Sequence, residues 1–296
     1  MASPTDATPQ PAPGPGAVGS GGLTPGRPAR TLRGVSAAPW GLRITGAAVA
    51  AIFALPLAWL LLRTVQRGGP ALFGGAGTGW RPLVNSVVLA SSVAVATTVV
   101  GTAAAWLTVR ADVFGARLWR VLLPLPLVVP SFIGAFTLLA AFAPGGLLDQ
   151  ALPDAVGLPR LGGFGGAFAV LTLLTYPYVY LPVSARLRDL PASLEEQARL
   201  LNRGGAATFW RIVLPQARSA VAAGALLVFL YVVSDFGAVQ LMRYDTLTRV
   251  IYARRLDQVT SVALSLQLGL LAVAVVAAER MLLRRRAGSS GGGRRG

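Results

Sequence analysis

Six long apolar runs, separated by short polar or Gly/Pro-rich stretches, set the rhythm of this chain: Ile44–Leu62, Leu83–Leu107, Val121–Ala143, Phe164–Ala185, Ala217–Leu241 and Ser261–Leu283. Each holds about 19 residues or more, which at about 1.5 Å per residue reaches across a hydrocarbon layer of ~30 Å. The pattern predicts an all-α membrane protein of six transmembrane helices, with both ends on one side.

Arginine placement chooses the side. Arg27, Arg30, Arg33 and Arg43 precede the first run, and Arg110, Arg117 and Arg120 follow the second. Arg186, Arg188, Arg199, Arg203, Arg211 and Arg218 lie between the fourth and fifth, and Arg280, Arg284, Arg285, Arg286, Arg294 and Arg295 end the chain. These segments share one side and hold nineteen of the 27 basic residues. Positive charge stays in the cytoplasm during insertion, so the expectation is an inner-membrane protein with both termini cytoplasmic. Residues 1–43, rich in Pro, Gly, Ala, Ser and Thr, read as a disordered cytoplasmic tail rather than a secretory signal. Residues 44–283 form the membrane domain, and the Gly/Ser/Arg-rich stretch 284–296 reads as a flexible basic tail.

Composition then narrows the chemistry. Hydrophobic residues make up 54% and charged residues 13%, against about 45–50% and about 25% in soluble domains. The formal charge of +16 is carried by arginines flanking apolar runs, so lipid headgroups, not nucleic acid, are the expected anionic partner. Lysine, histidine and cysteine are absent. Without lysine there is no complete Walker A loop; without histidine and cysteine there is no thiolate nucleophile, His-based triad, ordinary zinc site or disulfide.

The loop Arg186–Arg218 is longer than a simple connection and carries its own helix signals. Ser193 with Glu196 forms an S-x-x-E capping box after Pro191. Leu194, Ala198 and Leu201 recur at i, i+4 and i+7 as one apolar stripe. Asn202, Gly204 and Gly205 suit a helix stop, and Pro215 marks another break. The segment is a short amphipathic helix facing the cytoplasm. Its stripe can cover a partner protein, lie on the headgroups or fold back on its own bundle.

Glu196-Gln197-Ala198, then three residues, Asn202, nine residues and Ile212-Val213-Leu214-Pro215 resembles the E-A-A-x3-G-x9-I-x-L-P motif of the permeases of binding-protein-dependent (type I) ABC importers. The resemblance implies the permease fold of that class, with the helix acting as the coupling helix that docks on a separate ATPase subunit. The expected coupling residues are Leu194, Glu196, Ala198, Leu201, Asn202, Gly204, Ile212, Leu214 and Pro215. Gln197 stands where the family has Ala, and Asn202 where it has Gly; asparagine tolerates the left-handed turn. Val233-Ser234-Asp235-Phe236-Gly237-Ala238-Val239 and Arg243-Tyr244-Asp245-Thr246-Leu247-Thr248-Arg249 are similar to the first half of ferric-iron-type permeases, over roughly residues 45–280. That half is usually fused to a second, so the chain is expected either to pair as a half or to be part of a longer permease. The implied partners are an ATPase dimer, a second permease half (a like copy or a different one), a periplasmic solute-binding protein and the bilayer. ATP and Mg would be held by the ATPase, with no cofactor and no metal site on this chain, and no catalysis of its own.

An ionisable group within a span marks a functional site, and Asp235 is the clearest, with Phe236 and Gly237 weakening the helix beside it. Pro124, Pro126 and Pro130 forbid a regular helix through the third run; irregular backbone at membrane depth needs a protein or water-lined surrounding. Pro126, Pro130, Ser131, Asp235, Phe236 and Gly237 are therefore the candidate pathway residues. Asp235 can equally cap a helix break or sit at headgroup depth, and the prolines can be an entry turn. Tyr176, Tyr178 and Tyr180 read as packing aromatics; Ser91, Ser92, Thr97, Thr98 and Gly101 suit close helix contact. An ion-coupled secondary transporter would need more intramembrane charges than Asp235, and Glu195–Glu196 suit acid–base catalysis poorly. Ferric iron is the expected solute, with thiamine, phosphonate, sulfate and polyamine as alternatives.

Overall fold

Proline and glycine decide where the helices of this chain begin, break and meet. The computed structural model describes residues 40–66, 80–111, 113–151, 161–190 and 209–289. The described elements are α1 (Trp40–Gln66), α2 (Arg81–Val109), α3 (Ala116–Leu122), α4 (Ser131–Phe142), α5 (Leu147–Ala151), α6 (Gly163–Thr175), α7 (Pro177–Asp189), α8 (Leu214–Ser234), α9 (Gly237–Leu241), α10 (Leu247–Ala253) and α11 (Gln258–Ser289). No strand occurs among the described residues. Residues 1–50 and 51–296 form two separate units; of the first, the described part is the start of α1, Trp40–Ala50, exposed along its length.

Five helical stretches are long and apolar enough to cross a membrane, and a sixth is broken. The first starts at Trp40 and the last continues to Ser289, so both overrun the limits expected at 44 and 283. The rest of the two tails lies outside the described residues.

The third run, expected as one span, is two segments. Ala116–Val128 and Ser131–Phe142 meet at 99°. The prolines cause this: Leu127 N–H turns back to the Pro124 carbonyl (3.1 Å) and Val129 N–H to that of Pro126 (3.1 Å), a 3-10 turn over Leu125–Val128. Pro130 then holds extended backbone (ψ 141°) before α4 starts. The tightened turn strands the Leu123 carbonyl, which accepts instead from the Tyr176 hydroxyl at 2.8 Å. A buried carbonyl without a partner is costly, so Tyr176 stabilises the break.

The core is built on α2, α7 and α8. On α2 the buried positions Leu89, Ala90, Val93, Ala94, Thr97, Gly101, Ala105 and Thr108 recur every three or four residues, one face of a helix. Two glycines let the three helices approach closely. A Cβ on Gly101 would stand 2.8 Å from the Tyr176 carbonyl and 2.9 Å from Val179 Cβ; one on Gly224 of α8 would stand 2.8 Å from Val179 Cα. Val179, fully buried, is thus clasped from both sides. Without a hydrophobic drive between helices in lipid, such close packing holds a bundle together. Tyr180, also buried, puts its hydroxyl 3.3 Å from that of Thr108. Within the second unit, Leu57 of α1 seats over Gly269 of α11.

The fifth run is also broken. α8 ends at Ser234, where Asp235 turns extended (φ −65°, ψ 134°), and α9 restarts at Gly237. A Schellman turn ends α9: Tyr244 N–H donates to the Val239 carbonyl (3.0 Å) and Arg243 N–H to that of Gln240 (3.3 Å). Arg243 occupies the left-handed position, φ 55°, where glycine is the usual residue. Asp257 begins α11, accepting from the Thr260 N–H at 3.3 Å.

Candidate functional site

Two regions carry the candidate residues. The first surrounds the break in the fifth run. Because α8 stops at Ser234, the Asp235 N–H still turns back to the Val232 carbonyl (3.2 Å) while its own carbonyl leaves the helix, and its side chain is buried, 8% exposed. Carboxylate Oδ2 accepts the Ala238 N–H at 3.0 Å, and the Asp235 carbonyl accepts the Thr248 hydroxyl at 2.7 Å. Thr248 in turn meets Thr246 at 3.0 Å, so α10 is fastened to the break. Opposite, Ser131 at the start of α4 presents its hydroxyl to both the Asp235 carboxylate and the Tyr231 phenol. Gly237 permits this approach: a Cβ there would lie 3.0 Å from Ser131 Oγ and from Phe132 N.

Both broken runs therefore meet at one place. Of the candidate pathway residues, Ser131, Asp235 and Gly237 come together. Pro130 is the residue that directs α4 toward them, and Pro126 lies back in the 3-10 turn. Phe236 packs instead on Tyr252, ring centroids 4.8 Å apart. Asp235 does cap a helix break, as one of its readings held, and the same carboxylate lies among hydroxyls. Tyr231, tilted against Tyr178 with ring centroids 5.5 Å apart, is not among the residues expected from the sequence, since an isolated Tyr in an apolar run gives no signal of its own; Thr248 stands in the stretch Arg243–Arg249 with nothing to single it out. No group of three or more His, Cys, Asp or Glu occurs among the described residues.

The second region is the opposite end of the bundle, where the predicted coupling loop leaves and returns. Leu194, Glu196, Ala198, Leu201, Asn202 and Gly204 lie outside the described residues. The loop's two anchors are described, and the end of α2 holds both. Arg110 Nη2 donates to the carbonyls of Leu187 (2.5 Å) and Leu190 (2.8 Å), where α7 ends. One turn earlier, Trp106 packs on Phe209 with ring centroids 5.3 Å apart. Phe209–Val213 is a single π turn that includes the Ile212 backbone, and it runs directly into α8, whose first two residues are Leu214 and Pro215. A proline fits there because the first N–H groups of a helix have no partner within it. Arg186 Nε reaches the Gln216 carbonyl at 3.4 Å, tying α7 to α8 across the loop. Both ends of the loop are thus fastened to one frame made of α2, α7 and α8.

Among the described residues the chain is all-helical, with five helical stretches long and apolar enough to cross a membrane and a sixth that is broken, the architecture of a multi-pass membrane protein. Residues 97–287 match the family of binding-protein-dependent transport system inner membrane components, and the chain belongs to that family. It is 30% identical over 233 residues to the Fe(3+)-transport system permease protein FbpB 2 of Haemophilus influenzae, a match covering 76% of this chain and 42% of that protein. It is 27% identical over 159 residues to the molybdenum transport system permease protein ModB of Escherichia coli, covering 54% of this chain and 69% of that one. The sulfate transport system permease protein CysT of Synechocystis is 24% identical over 217 residues, covering 70% and 74%. The chain thus spans less than half the length of the ferric-iron relative. A chain of the MetNI methionine ABC transporter, solved in inward-facing conformations, superposes with a TM-score of 0.54 at 15% identity, covering 69% of this chain and 94% of that one. That likeness shows the shared fold.

Proposed function

We propose that the chain is the transmembrane subunit of an ATP-driven importer, with its loop 190–209 facing the cytoplasm and receiving motion from a separate ATPase. The supporting observation is the double clamp at the end of α2, Arg110 on Leu190 and Trp106 on Phe209. A loop that rode free on the membrane surface would need no such fastening at both ends. When two ATPase subunits close on ATP, the loops of two permease units are drawn together and the clamped helices follow. The cavity between the units then turns from one side of the membrane to the other, and a periplasmic binding protein delivers the solute.

Ferric iron is the solute this reading favours. Its support is the match to FbpB 2 together with the Ser131, Tyr231 and Asp235 oxygens gathered at the helix breaks. A hard cation prefers oxygen donors, and a buried carboxylate repels oxyanions. The relatives named for molybdenum and sulfate carry the alternative, an oxyanion solute.

The test is uptake in cells whose own importer is deleted, with the ATPase and binding protein that co-purify with the chain supplied in trans. Glu196→Ala and Ala198→Asp should insert normally, keep ATP hydrolysis by the complex and lose uptake. Normal uptake by both variants, or uptake that needs no ATPase, overturns the importer reading; accumulation of molybdate or sulfate but not iron overturns the choice of solute alone.

A further inference from the structure

We infer that the groove between α2 and α8 binds one anionic phospholipid. The groove encloses about 630 Å³, inside the range of small-ligand sites of about 300–1,000 Å³. Its wall is mostly apolar and includes Trp106, Phe209, Trp210 and Ala222, of which Trp210 is exposed. Thr102, whose hydroxyl has no hydrogen-bond partner among the described residues, also lines it.

Charge decides the occupant. Arg218 lies in the lining, four residues after the start of α8, about one turn into a helix long and apolar enough to cross a membrane. Its side chain is exposed, and among the described residues no carboxylate lines the groove. A guanidinium near the end of such a helix is most favourable at headgroup level, where it meets an anion. Trp106 and Trp210 mark the same level, because tryptophan gathers at membrane–water boundaries. An acyl chain in the groove and a phosphate on Arg218 satisfy the apolar wall and the cation together. A second copy of the chain would cover the wall but bring no anion to Arg218 from the matching face, since the described residues of that face carry none.

The site has a consequence for the protein. Phe209 and Trp210 belong to the π turn that joins the loop to α8, and their rings pack on one another at 5.4 Å. A lipid against them stiffens the joint through which loop motion enters the bundle, so bilayer composition should tune that transmission.

The test is native mass spectrometry of the full-length chain after delipidation and titration with phosphatidylglycerol or phosphatidylcholine, which requires no transport assay and is independent of the importer reading. The wild type should hold one phosphatidylglycerol about fivefold more tightly than phosphatidylcholine, the contribution expected of one arginine near an anionic lipid. Arg218→Gln should abolish that preference without weakening phosphatidylcholine, and Ala222→Trp, which fills the groove, should remove the tight lipid altogether. Equal retention of the two lipids by the wild type, or an undiminished preference in Arg218→Gln, overturns the site. If Ala222→Trp changes only the oligomeric state and leaves the lipid in place, the groove is a contact between copies and the proposal is also overturned. Should Ala222→Trp fail to fold, Arg218→Gln decides alone.

Discussion

The guanidinium of Arg110 binds the carbonyl of Leu190 at 2.8 Å, across 80 residues of sequence. The same nitrogen also holds Leu187, so a residue at the end of α2 sets where α7 stops and where the loop begins. Helix C-termini leave carbonyls without partners inside the helix, and an arginine is suited to satisfying two of them at once.

Replacing Arg110 with Gln should therefore act on the loop before it acts on the fold. Hydrogen bonds to charged groups contribute on the order of 1.5–3 kcal/mol each, and partial solvent access at Arg110 puts the combined loss nearer about 2 kcal/mol. Limited proteolysis within 190–209 should accelerate severalfold while the helical circular dichroism stays unchanged. An unaltered cleavage rate would mean that the clamp does not govern the loop.

The two glycines around Val179 make a sharper prediction about stability. In Gly101→Ala the new methyl meets backbone and Cβ below 3.0 Å, and helices clasped on both sides cannot both retreat. Overpacking of this kind costs about 1–3 kcal/mol, and Gly224→Ala should behave alike. Gly46→Ala, with nothing within 4 Å of the added atom, should leave the unfolding midpoint in detergent unchanged or raise it slightly. Equal midpoints for all three variants would contradict the close approach.

How much of this was readable beforehand depended on the length scale of the signal. A bilayer demands about 20 apolar residues in a row, so five crossings stand out, and three prolines within seven residues announced the break in the third. The helices α9 and α10 did not stand out. Each is shorter than the ~12 residues an isolated helix needs, and they exist because Asp235 caps one and Thr248 ties the other to it. In the sequence Arg110 is one more positive charge on the side expected to be cytoplasmic; its role appears only when Leu187 and Leu190 are brought beside it. For the coupling motif, the sequence marked a break at Pro215 and began the fifth run at Ala217, whereas the helix starts at Leu214 with Pro215 as its second residue; the residues from Leu194 to Gly204 lie outside the described part.

Arg243 offers a gain rather than a loss. It holds φ 55° at the turn after α9, where an L side chain costs about 1–2 kcal/mol relative to glycine. Arg243→Gly should therefore stabilise the protein by roughly 1 kcal/mol, reduced somewhat because glycine also frees the unfolded chain. A rise in the unfolding midpoint checks it; a fall would show that the arginine side chain makes a contact worth more than the turn.

Asp235 separates the structural and the transport roles of one carboxylate. Its Oδ2 caps α9 through Ala238, a task an amide oxygen performs as well, because asparagine is as good a capping residue as aspartate. Asp235→Asn should thus fold with little change in stability, whereas Asp235→Ala should lose about 1 kcal/mol, the usual cost of a missing cap. Uptake divides the two roles. If the carboxylate lies on the path of a cation, Asp235→Asn removes the charge but keeps the geometry, and iron uptake should drop at least about tenfold, equivalent to about 1.4 kcal/mol of lost stabilisation along the path. Asp235→Ala should then transport no better than Asp235→Asn. Full uptake by the Asn variant together with poor uptake by the Ala variant would assign Asp235 to the cap alone, and the cation path would have to run elsewhere.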